Sequence, residues 1–415
     1  MNSLSKDLGK PEVEGMFEII AIKQELKLVS KNLKKWMAPK EINIPISLKP
    51  GKAIIQSEPL GCVLIIGPWN YPFSLTIQPL VSALAAGNTA VLKPSEHAPE
   101  TSALIQKMIN MYFPSEIVQV CQGDGLVASE LTEEKFDHIF FTGGGEIGKK
   151  VMSAASKNLT PVTLELGGQS PAIVLPGADL DVTARRLAWG KSLNAGQTCI
   201  APNHLFIQQN LHQNLINKLK IELTQFYGSQ PLESKHIGKI INKSQFSRLI
   251  NLITEARKTG KIVFGGTFDE ETRKISPTLV EIETLEHPLM KEEIFGPILP
   301  IVCISNLNTA LNDIRTRGKP LAIYMFGGTA EEQKALLETT SSGGVCFNDV
   351  VMQAGVPELP FGGIGSSGIG RYHGLAGFET FSHQKSILKK SFWLDLKLRY
   401  PPYKINVKML KQLLK

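Results

Sequence analysis

The sequence lacks the cysteine patterns that would indicate a disulfide framework or a zinc site. Its five cysteines are scattered along 415 residues, they are odd in number, and none forms a CxxC pair or a Cys/His ligand spacing. This usage of cysteine is typical of a reducing compartment. The amino terminus also lacks the basic region and apolar core of a secretory signal peptide. We therefore expect a cytoplasmic protein without a metal site.

Charged residues are absent from Gly61 to Leu92, and an uncharged stretch of this length could suggest a membrane span. Three prolines and several polar side chains interrupt it, and in hydrocarbon they would leave polar groups unpaired. We interpret the stretch as buried strand, loop and helix. The composition, 42% hydrophobic and 20% charged, is ordinary for a soluble globular chain of two or three domains.

The sequence also lacks the distributed positive charge of a nucleic-acid-binding protein, because its excess of Lys and Arg over Asp and Glu is confined to the C-terminal end of the chain. Between Gln384 and Lys415 there are nine Lys or Arg residues and one acidic residue, and the rest of the chain is close to neutral. Residues 404–415, KINVKMLKQLLK, place apolar side chains and lysines at helical spacing. Such a helix could lie in the headgroup region of an anionic membrane, which is one interpretation of this segment. A solvated tail, or one packed on a partner subunit, is the alternative.

What the sequence does contain is a long alternation of strand and helix patterns. One series runs from Val63 to Leu164 and a second from Pro171 to Phe347. Short apolar strands separated by helices predict parallel sheets covered on both faces, so the fold class is α/β with two such domains. Residues 12–36 are predicted to form an amphipathic helix. Its apolar side would carry Met16, Ile20, Leu26, Val29, Leu33 and Trp36.

Cys199 lies in the segment LNAGQTCIAP, residues 193–202, between a predicted helix and a predicted strand. Backbone N–H groups at such a junction can lower the pKa of a thiol, and the thiolate is the nucleophilic form. Cys199 is therefore a candidate nucleophile. The alternative is a small buried residue that only fills space.

A glycine-rich segment, residues 136–148, FDHIFFTGGGEIG, predicts a strand, a loop and a helix N-terminus, which together can bind phosphate. Gly143 and Gly148 begin and end a GxGxxG match. In an ordinary dinucleotide fold, Glu165 at the end of the next strand would hold the ribose. Alternatively, Glu165 is a general base that activates water on a thioester of Cys199. Sequence spacing does not decide between these two roles.

Several motifs follow one another in an order that points to a family. They are PWNYPF (68–73), LKPSE (92–96), FTG (141–143), LELGG (164–168), GQTC (196–199) and EEIFGP (292–297). Together they resemble the aldehyde dehydrogenases. The later motifs SSGGVCFND (341–349), LPFGGIGSSGIGRYHG (359–374), FETFSH (378–383) and RYPPY (399–403) resemble the class 3 branch, which includes the fatty aldehyde dehydrogenases. The resemblance extends from about Asp7 to Tyr403.

The resemblance implies roles for three residues in the chemistry. Cys199 would attack the aldehyde, and Glu165 would activate water on the resulting thioester instead of holding the ribose. Asn70 would donate its side-chain amide to the oxyanion, beside the backbone N–H of Cys199. Without the resemblance, Asn70 would be interpreted as a turn residue before Pro72.

The resemblance also implies a nicotinamide cofactor. Lys93 and Glu96 resemble the pair that holds the adenosine ribose. Glu293 and Phe295 resemble the residues that bind and pack the nicotinamide riboside. NAD is the expected cofactor, with NADP as the alternative, because the charge of Glu96 would repel a 2′-phosphate.

The glycine-rich loop departs from the pattern of the family at one position. Gly143 and Gly148 keep their places, but Gly144 stands where many members have a serine. A hydroxyl contact is therefore lost while the backbone donors remain. We expect weaker or repositioned binding of the pyrophosphate.

The implied fold has a doubly wound parallel-sheet cofactor domain, a second α/β catalytic domain and a small β oligomerisation arm. We assign residues 1–165 to the NAD(P)-binding domain, with residues 48–60 contributing to the arm. Residues 166–348 would form the catalytic domain, and residues 349–415 the return segment, the arm and the basic tail. The implied assembly is a homodimer. Family members usually begin well before the equivalent of Asp7, so the N-terminus is expected to be shortened.

The expected function is the NAD(P)-dependent oxidation of aldehydes to carboxylic acids through a cysteine thiohemiacetal and a thioester. The substrates would be medium- or long-chain aliphatic or aromatic aldehydes. Two other classes of protein remain as alternatives. One is a related enzyme that passes the acyl group to coenzyme A or phosphate, and the other is a catalytically silent dimeric binding protein.

Overall fold

The computed structural model describes residues 1–395, 397–403, 406–408 and 411. The chain divides into two compact units, the first formed by residues 1–36 and 59–382 and the second by residues 37–58 and 383–415. Most of the predicted amphipathic tail, residues 404–415, lies outside the described residues.

Helices occur along both series of the predicted alternation, and some begin at side-chain caps. The carboxylates of Asp124 and Asp179 each accept backbone N–H groups at a helix start. The α-helices are α1 (Asn2–Leu8), α2 (Glu12–Trp36), α3 (Ser74–Ala85), α4 (Pro99–Tyr112), α5 (Gly125–Glu133), α6 (Gly145–Ser156), α7 (Leu180–Ser192), α8 (His212–Tyr227), α9 (Lys243–Thr259), α10 (Leu307–Arg317), α11 (Ala330–Thr339) and α12 (Gly374–Thr380).

The strands are short and mostly apolar where they are central in a sheet. They are β1 (Lys40–Ile42), β2 (Gly51–Pro59), β3 (Cys62–Ile66), β4 (Thr89–Lys93), β5 (Val118–Val120), β6 (His138–Thr142), β7 (Val162–Glu165), β8 (Pro171–Val174), β9 (His204–Gln208), β10 (Lys261–Phe264), β11 (Phe268–Asp269), β12 (Lys274–Ile275), β13 (Thr278–Ile282), β14 (Ile298–Ile304), β15 (Ala322–Phe326), β16 (Gly344–Phe347), β17 (Gly368–Ile369) and β18 (Ser382–Lys390).

The first sheet has the strand order β17-β7-β6-β3-β4-β5. Its strands from β3 to β7 pair in parallel, and β17 joins the edge antiparallel to β7. Residues of α3 and α4 share one apolar cluster with the sheet, and residues of α6 share another. The carboxyl ends of parallel strands meet at one edge, and there Ile66 pairs with Lys93 and Thr142 with Glu165. This edge carries several of the candidate site residues.

The second sheet has the strand order β10-β13-β14-β9-β8-β15-β16. All its pairs are parallel except β10 with β13. One apolar cluster contains residues of α9 and α10, and another contains residues of α7 and α8. The strand β9 begins shortly after Cys199, so this sheet positions the candidate nucleophile.

The second unit contains a sheet with the order β1-β2-β18. The strands β1 and β2 are antiparallel, with Lys40 opposite Ile55, and an ion pair joins Glu58 to Lys385. In the described part of this sheet, β18 is an edge strand whose side chains are mostly exposed. The assignment of residues 48–60 and the C-terminal segment to an oligomerisation arm stays a prediction.

The helix α2 has the predicted bounds, and its predicted apolar face is confirmed in part. Val29 is buried, and Leu33 and Trp36 pack against the apolar cluster that contains residues of α3 and α4. The other half of the predicted face was wrong. Met16, Ile20 and Leu26 are exposed, whereas the buried residues include Glu18 and Glu25. Periodicity counts acids as solvent-facing, yet both of these carboxylates have partners inside the protein. Glu18 pairs with Lys10 and backbone N–H groups, and Glu25 accepts the N–H of Gly374. The side of α2 that faces the core is therefore partly acidic.

Within the described ranges of the chain, no helix combines the length and the apolarity that crossing a membrane requires. The uncharged stretch from Gly61 to Leu92 forms β3, α3 and β4, as predicted.

Candidate active site

Cys199 follows α7 and a tight 3-10 turn, Leu193–Gly196. In this turn Asn194 and Ala195 have φ values of 52° and 54°, a left-handed conformation that is uncommon for residues other than glycine. At Gly196 a Cβ would overlap the backbone of Gly296, so the turn requires glycine there. The turn redirects the chain between α7 and β9 and leaves Cys199 partly exposed.

Burial dominates the acidity of the Cys199 thiol. Burial raises its pKa to about 12, and the charges of Glu293 and Glu165 contribute to the rise. The backbone N–H groups of Cys199 and Ile200 act in the opposite direction, as predicted for this junction, but burial outweighs them. Forming the thiolate therefore requires a group that accepts its proton.

Asn70 is buried and lies against the turn that carries Cys199. Its Nδ2 donates to the carbonyl of Gln197 over 3.1 Å, and its own carbonyl accepts Nδ2 of Asn194 over 2.8 Å. Beside it, the hydroxyl of Tyr71 lies 2.7 Å from that of Thr198. The amide of Asn70 is thus held against the segment that leads into Cys199, although 127 residues separate it from Gln197.

Glu165 ends β7 and is 2% exposed. Among the residues that the structure describes, neither of its carboxylate oxygens has a hydrogen-bond partner, and burial raises its pKa well above the usual value. Its charge also acts on the pKa of Cys199, which indicates that the two groups are near each other. A buried carboxyl without partners is suited to exchange a proton with a water molecule.

Glu293 packs against the backbone that follows Glu165. A Cβ on Gly167 would overlap the carboxylate, and the backbone of Gly168 hydrogen-bonds to it. Burial raises the pKa of Glu293 to about 7, and Gly168, Lys191 and Arg248 limit the rise. A side chain at position 167 would displace this carboxylate.

Lys191 was missed by the sequence analysis. It is buried on α7, and burial lowers its pKa to about 7 while the charge of Glu293 opposes the fall. A signal was present, because Lys191 falls at helical spacing after Ala184, Leu187 and Ala188 on the buried side of α7. A lysine on an apolar helix face is uncommon and marks a charged partner inside the protein.

Phe295 and Trp69 form an aromatic pair near the glycine-rich loop. Their ring centroids are 5.3 Å apart with an edge-to-face angle of 83°. Phe295 has a φ of 47°, so its backbone is held in a left-handed conformation. Trp69 lines a cavity at the carboxyl edge of the first sheet and directly precedes Asn70.

A cavity of about 780 Å³ lies at the carboxyl edge of the first sheet. It is lined by Lys93, Glu96, Gly143 and Gly144 among others, and the buried Nζ of Lys93 is 3.3 Å from the carboxylate of Glu96. A Cβ at Gly143 would lie 2.5 Å from the ring of Phe141, so the loop is pressed against β6.

These features fit a nicotinamide dinucleotide. The volume is within the range of cofactor sites, the N-terminus of α6 follows Gly144, and Glu96 offers a carboxylate to sugar hydroxyls. At Gly148 a Cβ would lie 2.8 Å from the side chain of Leu166, so this glycine lets α6 pack closely on the sheet. Across the residues that the structure describes, no group of His, Cys, Asp and Glu could hold a metal ion.

The fold and this arrangement of a cysteine, a buried carboxyl and a dinucleotide cavity define an oxidoreductase of the α/β class. The aldehyde dehydrogenase family matches residues 1–387, and the chain belongs to this family. It is 45% identical over 403 residues to aldehyde dehydrogenase family 3 member H1 of Arabidopsis thaliana, covering 97% of this chain and 83% of the relative. These matches confirm the class 3 resemblance and the predicted fold class.

Two further comparisons agree. The chain is 45% identical to the dimeric NADP-preferring aldehyde dehydrogenase of Rattus norvegicus, covering 96% of this chain and 88% of the relative. The solved substrate-bound structure of AldH from Staphylococcus aureus is 42% identical with a TM-score of 0.96, covering 100% of this chain and 90% of that one. The protein is an NAD(P)-dependent aldehyde dehydrogenase that oxidises aldehydes to carboxylic acids.

Proposed function

We propose that Cys199 is the nucleophile, Asn70 an oxyanion donor and Glu165 the base of this oxidation. The observation that carries the proposal is the buried carboxyl of Glu165, which has no hydrogen-bond partner within the described part of the chain and whose charge reaches Cys199. The thiol of Cys199 releases its proton to solvent water and its sulfur bonds to the aldehyde carbon, while the second C–O bond breaks and its electron pair stays on oxygen, giving the oxyanion of a thiohemiacetal. A nicotinamide cofactor held in the cavity at the carboxyl edge of the first sheet would supply the hydride acceptor, and loss of a hydride from the thiohemiacetal carbon leaves a thioester of Cys199.

The oxyanion of the thiohemiacetal needs donors that are already in place. The amide of Asn70 is held by its hydrogen bond to the carbonyl of Gln197. A side-chain amide carries a second N–H, which in this proposal donates to the oxyanion. The backbone N–H of Cys199 supplies the other donor. Removing one donor of this kind typically lowers the rate by about a hundredfold to a thousandfold.

Glu165 then takes a proton from the water that attacks the thioester, which releases the carboxylic acid. Two observations favour this role over binding of the ribose. Glu96 lines the cofactor cavity, whereas Glu165 is buried at the end of β7 and its charge contributes to the raised pKa of Cys199. A carboxyl that acts as the general base for water also favours hydrolysis of the thioester over transfer of its acyl group to coenzyme A or phosphate.

The variant Glu165→Gln tests the proposal directly. We expect a burst of NADH equal to the enzyme concentration, followed by a steady rate lower by about a hundredfold to ten-thousandfold, because a positioned base contributes this much. Mass spectrometry of the quenched enzyme should show an acyl group on Cys199. If instead there is no burst and only the dissociation constant of NAD rises, Glu165 holds the ribose and the proposal is wrong.

For the cofactor, we propose that Lys93 and Glu96 form the site of the adenosine ribose, with the carboxylate of Glu96 accepting from the sugar hydroxyls. Gly143 and Gly148 would shape the loop that binds the pyrophosphate. Glu293 and Phe295 would bind and pack the nicotinamide riboside. The position of Glu96 in the cavity supports a preference for NAD over NADP.

For the substrate, we propose medium- or long-chain aliphatic or aromatic aldehydes. Trp189 and Phe361 pack against the same apolar cluster as Cys199, and apolar surroundings favour an apolar aldehyde. A series of aldehydes from two to eighteen carbons would decide. A kcat/KM that falls with chain length would contradict this specificity.

For the assembly, we propose a homodimer in which the edge strand β18 pairs with a second copy of the chain. A long exposed edge is a template for pairing with another strand, and the rat relative is named as dimeric. Light scattering should give twice the mass of the chain. Proline in place of Ile387, in the middle of β18, should shift the protein toward a monomer.

We also propose reversible contact of the C-terminal segment with anionic membranes. Phe392 and Trp393 are exposed, and basic residues such as Lys389, Lys390 and Lys397 surround them in sequence. Each basic residue near such a surface adds about 1 kcal/mol. Vesicles containing an anionic lipid should co-sediment the full chain at low salt better than a form that ends at Ser391, which lacks Phe392, Trp393 and the basic residues after them. Equal binding by both forms, or none by the full chain, would refute the contact.

A further inference from the structure

The acidic side of α2 faces the two loops that meet at the candidate active site. Glu14 and Glu18 lie one helical turn apart, so their side chains project from the same side of the helix. Glu18 accepts backbone N–H groups from the loop that follows Asn70, and Glu14 accepts one from the turn that precedes Cys199. Neither residue lines the cofactor cavity, and sequence motifs did not single them out.

Glu18 holds the loop that carries Asn70. Its Oε2 accepts the backbone N–H groups of Phe73 and Ser74, each over 3.0 Å, at the start of α3. Its Oε1 accepts Nζ of Lys10 over 2.6 Å, and both side chains are buried. The same Nζ lies 3.9 Å from the centre of the Tyr71 ring. The segment after Asn70 is thus anchored to α2 by a buried ion pair.

Glu14 holds the loop that carries Cys199. Its Oε2 accepts the backbone N–H of Asn194 over 2.9 Å. The side chain of Asn194 in turn donates to the carbonyls of Asn70 and Gln197, over 2.8 and 3.1 Å. Asn194 therefore connects the carboxylate on α2 to both loops at once.

The conformation of this turn requires such support. Asn194 and Ala195 are both left-handed, which residues other than glycine adopt at an energetic cost unless their surroundings hold them there. Without Glu14, the N–H of Asn194 would lose its partner and the turn would be free to relax. Relaxation would move Cys199 relative to Asn70.

We propose that Glu14 and Glu18 are positioning residues that set the separation between the Asn70 amide and the backbone N–H of Cys199. The inference rests on the proposed roles of Asn70 and Cys199 in holding the oxyanion. The two carboxylates touch neither the aldehyde nor the cofactor, and they act through the loops. Because they sit on one rigid helix, the spacing of the two donors is fixed before the aldehyde binds.

The test compares Glu14→Ala with Glu14→Gln and with Glu12→Ala, a matched loss of charge at an exposed position of the same helix. We expect Glu14→Ala to lower kcat by about tenfold to a hundredfold, because small displacements of reacting groups have effects of this size. The dissociation constant of NAD should change less than twofold. Glu14→Gln keeps an acceptor for Asn194 and should restore most of kcat, and Glu12→Ala should match the wild type.

A second measurement separates positioning from general loss of stability. Combined with Asn70→Ala, the change Glu14→Ala should lower kcat much less than it does alone, because the donor that it positions is already gone. Independent, multiplying losses would overturn the inference. So would an unchanged kcat in Glu14→Ala, or an equal loss in Glu12→Ala.

The outcome for Asn70→Ala alone separates this inference from the proposed function. If Asn70→Ala is slow and Glu14→Ala is normal, the oxyanion role stands and the positioning role is refuted. If Asn70→Ala itself has normal kcat, the oxyanion role of Asn70 is wrong and the positioning inference is wrong with it. For Glu18, Gln keeps an acceptor for the N–H groups of Phe73 and Ser74, so Glu18→Gln should lose less kcat than Glu18→Ala.

Discussion

The half-buried carboxyl of Glu293 should make the protein less stable than it could be, and Glu293→Gln should reveal by how much. Burial raises the pKa of Glu293 from 4.5 to about 7. Each pKa unit corresponds to about 1.4 kcal/mol, so the full shift is equivalent to about 3 kcal/mol. The side chain is partly exposed, and solvent screening reduces the effect, so we expect a gain of about 2 kcal/mol in the free energy of unfolding.

The pH dependence of this gain has a definite sign. A raised pKa means that the folded chain favours the protonated carboxyl, so the ionised form opposes folding as pH rises above 4.5. The opposition is complete above pH 7. The glutamine variant does not ionise, so its advantage should be largest near pH 8 and should shrink toward pH 5.

Urea unfolding of the two proteins at pH 8 and pH 5 measures the difference. The exposed neighbour Glu292 supplies the control, because Glu292→Gln removes the same charge without removing a buried carboxyl. Activity should move in the opposite direction, since Glu293 is proposed to bind the nicotinamide riboside, and kcat/KM for NAD should fall. A Glu293→Gln variant that is no more stable than the wild type at pH 8 would refute the reasoning.

Three other substitutions give direct readouts. Cys199→Ala should abolish dehydrogenase activity while leaving the dissociation constant of NAD nearly unchanged, and more than a few per cent of residual activity would rule out Cys199 as the nucleophile. Glu96→Gln should narrow the preference for NAD over NADP, measured as the ratio of the two kcat/KM values; an unchanged ratio would contradict the ribose assignment. Gly144→Ser should raise the melting temperature slightly and tighten NAD binding. Gly144 is the N-cap residue of α6, with φ −74° and ψ 147°, and a Cβ there would meet open space. Serine fits this position and adds a hydroxyl that can accept a backbone N–H of the helix or contact the cofactor. Weaker NAD binding in that variant would show that the missing hydroxyl is not a contact of this loop.

The alternation of strands and helices was predictable because apolar periodicity depends on local sequence alone. The strand β14 has the predicted bounds, Ile298–Ile304, and α2 begins and ends where its pattern does. The buried face of α2 was not predictable in this way. Glu18 and Glu25 find partners in segments distant in sequence, at Phe73 and at Gly374. Periodicity does not carry information about such partners.

In the candidate site, too, the local features were predictable from the sequence and the contacts between distant segments were not. A single cysteine before a strand and a glutamate after one could be recognised from the sequence, but their proximity could not. Asn70 gains its place from contacts with Gln197 and Asn194, and the family resemblance, not local chemistry, pointed to it. The raised pKa of the Cys199 thiol also depends on burial by the whole fold.

The strand that carries Glu165 has a neighbour from far along the chain. In the first sheet β7 pairs on one side with β6 and on the other with β17, where Gly368 stands opposite Glu165 and the carbonyl of Ser367 accepts the N–H of Leu166. During synthesis on the ribosome, β7 emerges long before β17 and waits as an open edge. The strand pairing around Glu165, the proposed base, is therefore complete only after nearly the whole chain has been translated. A premature stop before Ser367 would leave an aggregation-prone fragment instead of a smaller active enzyme.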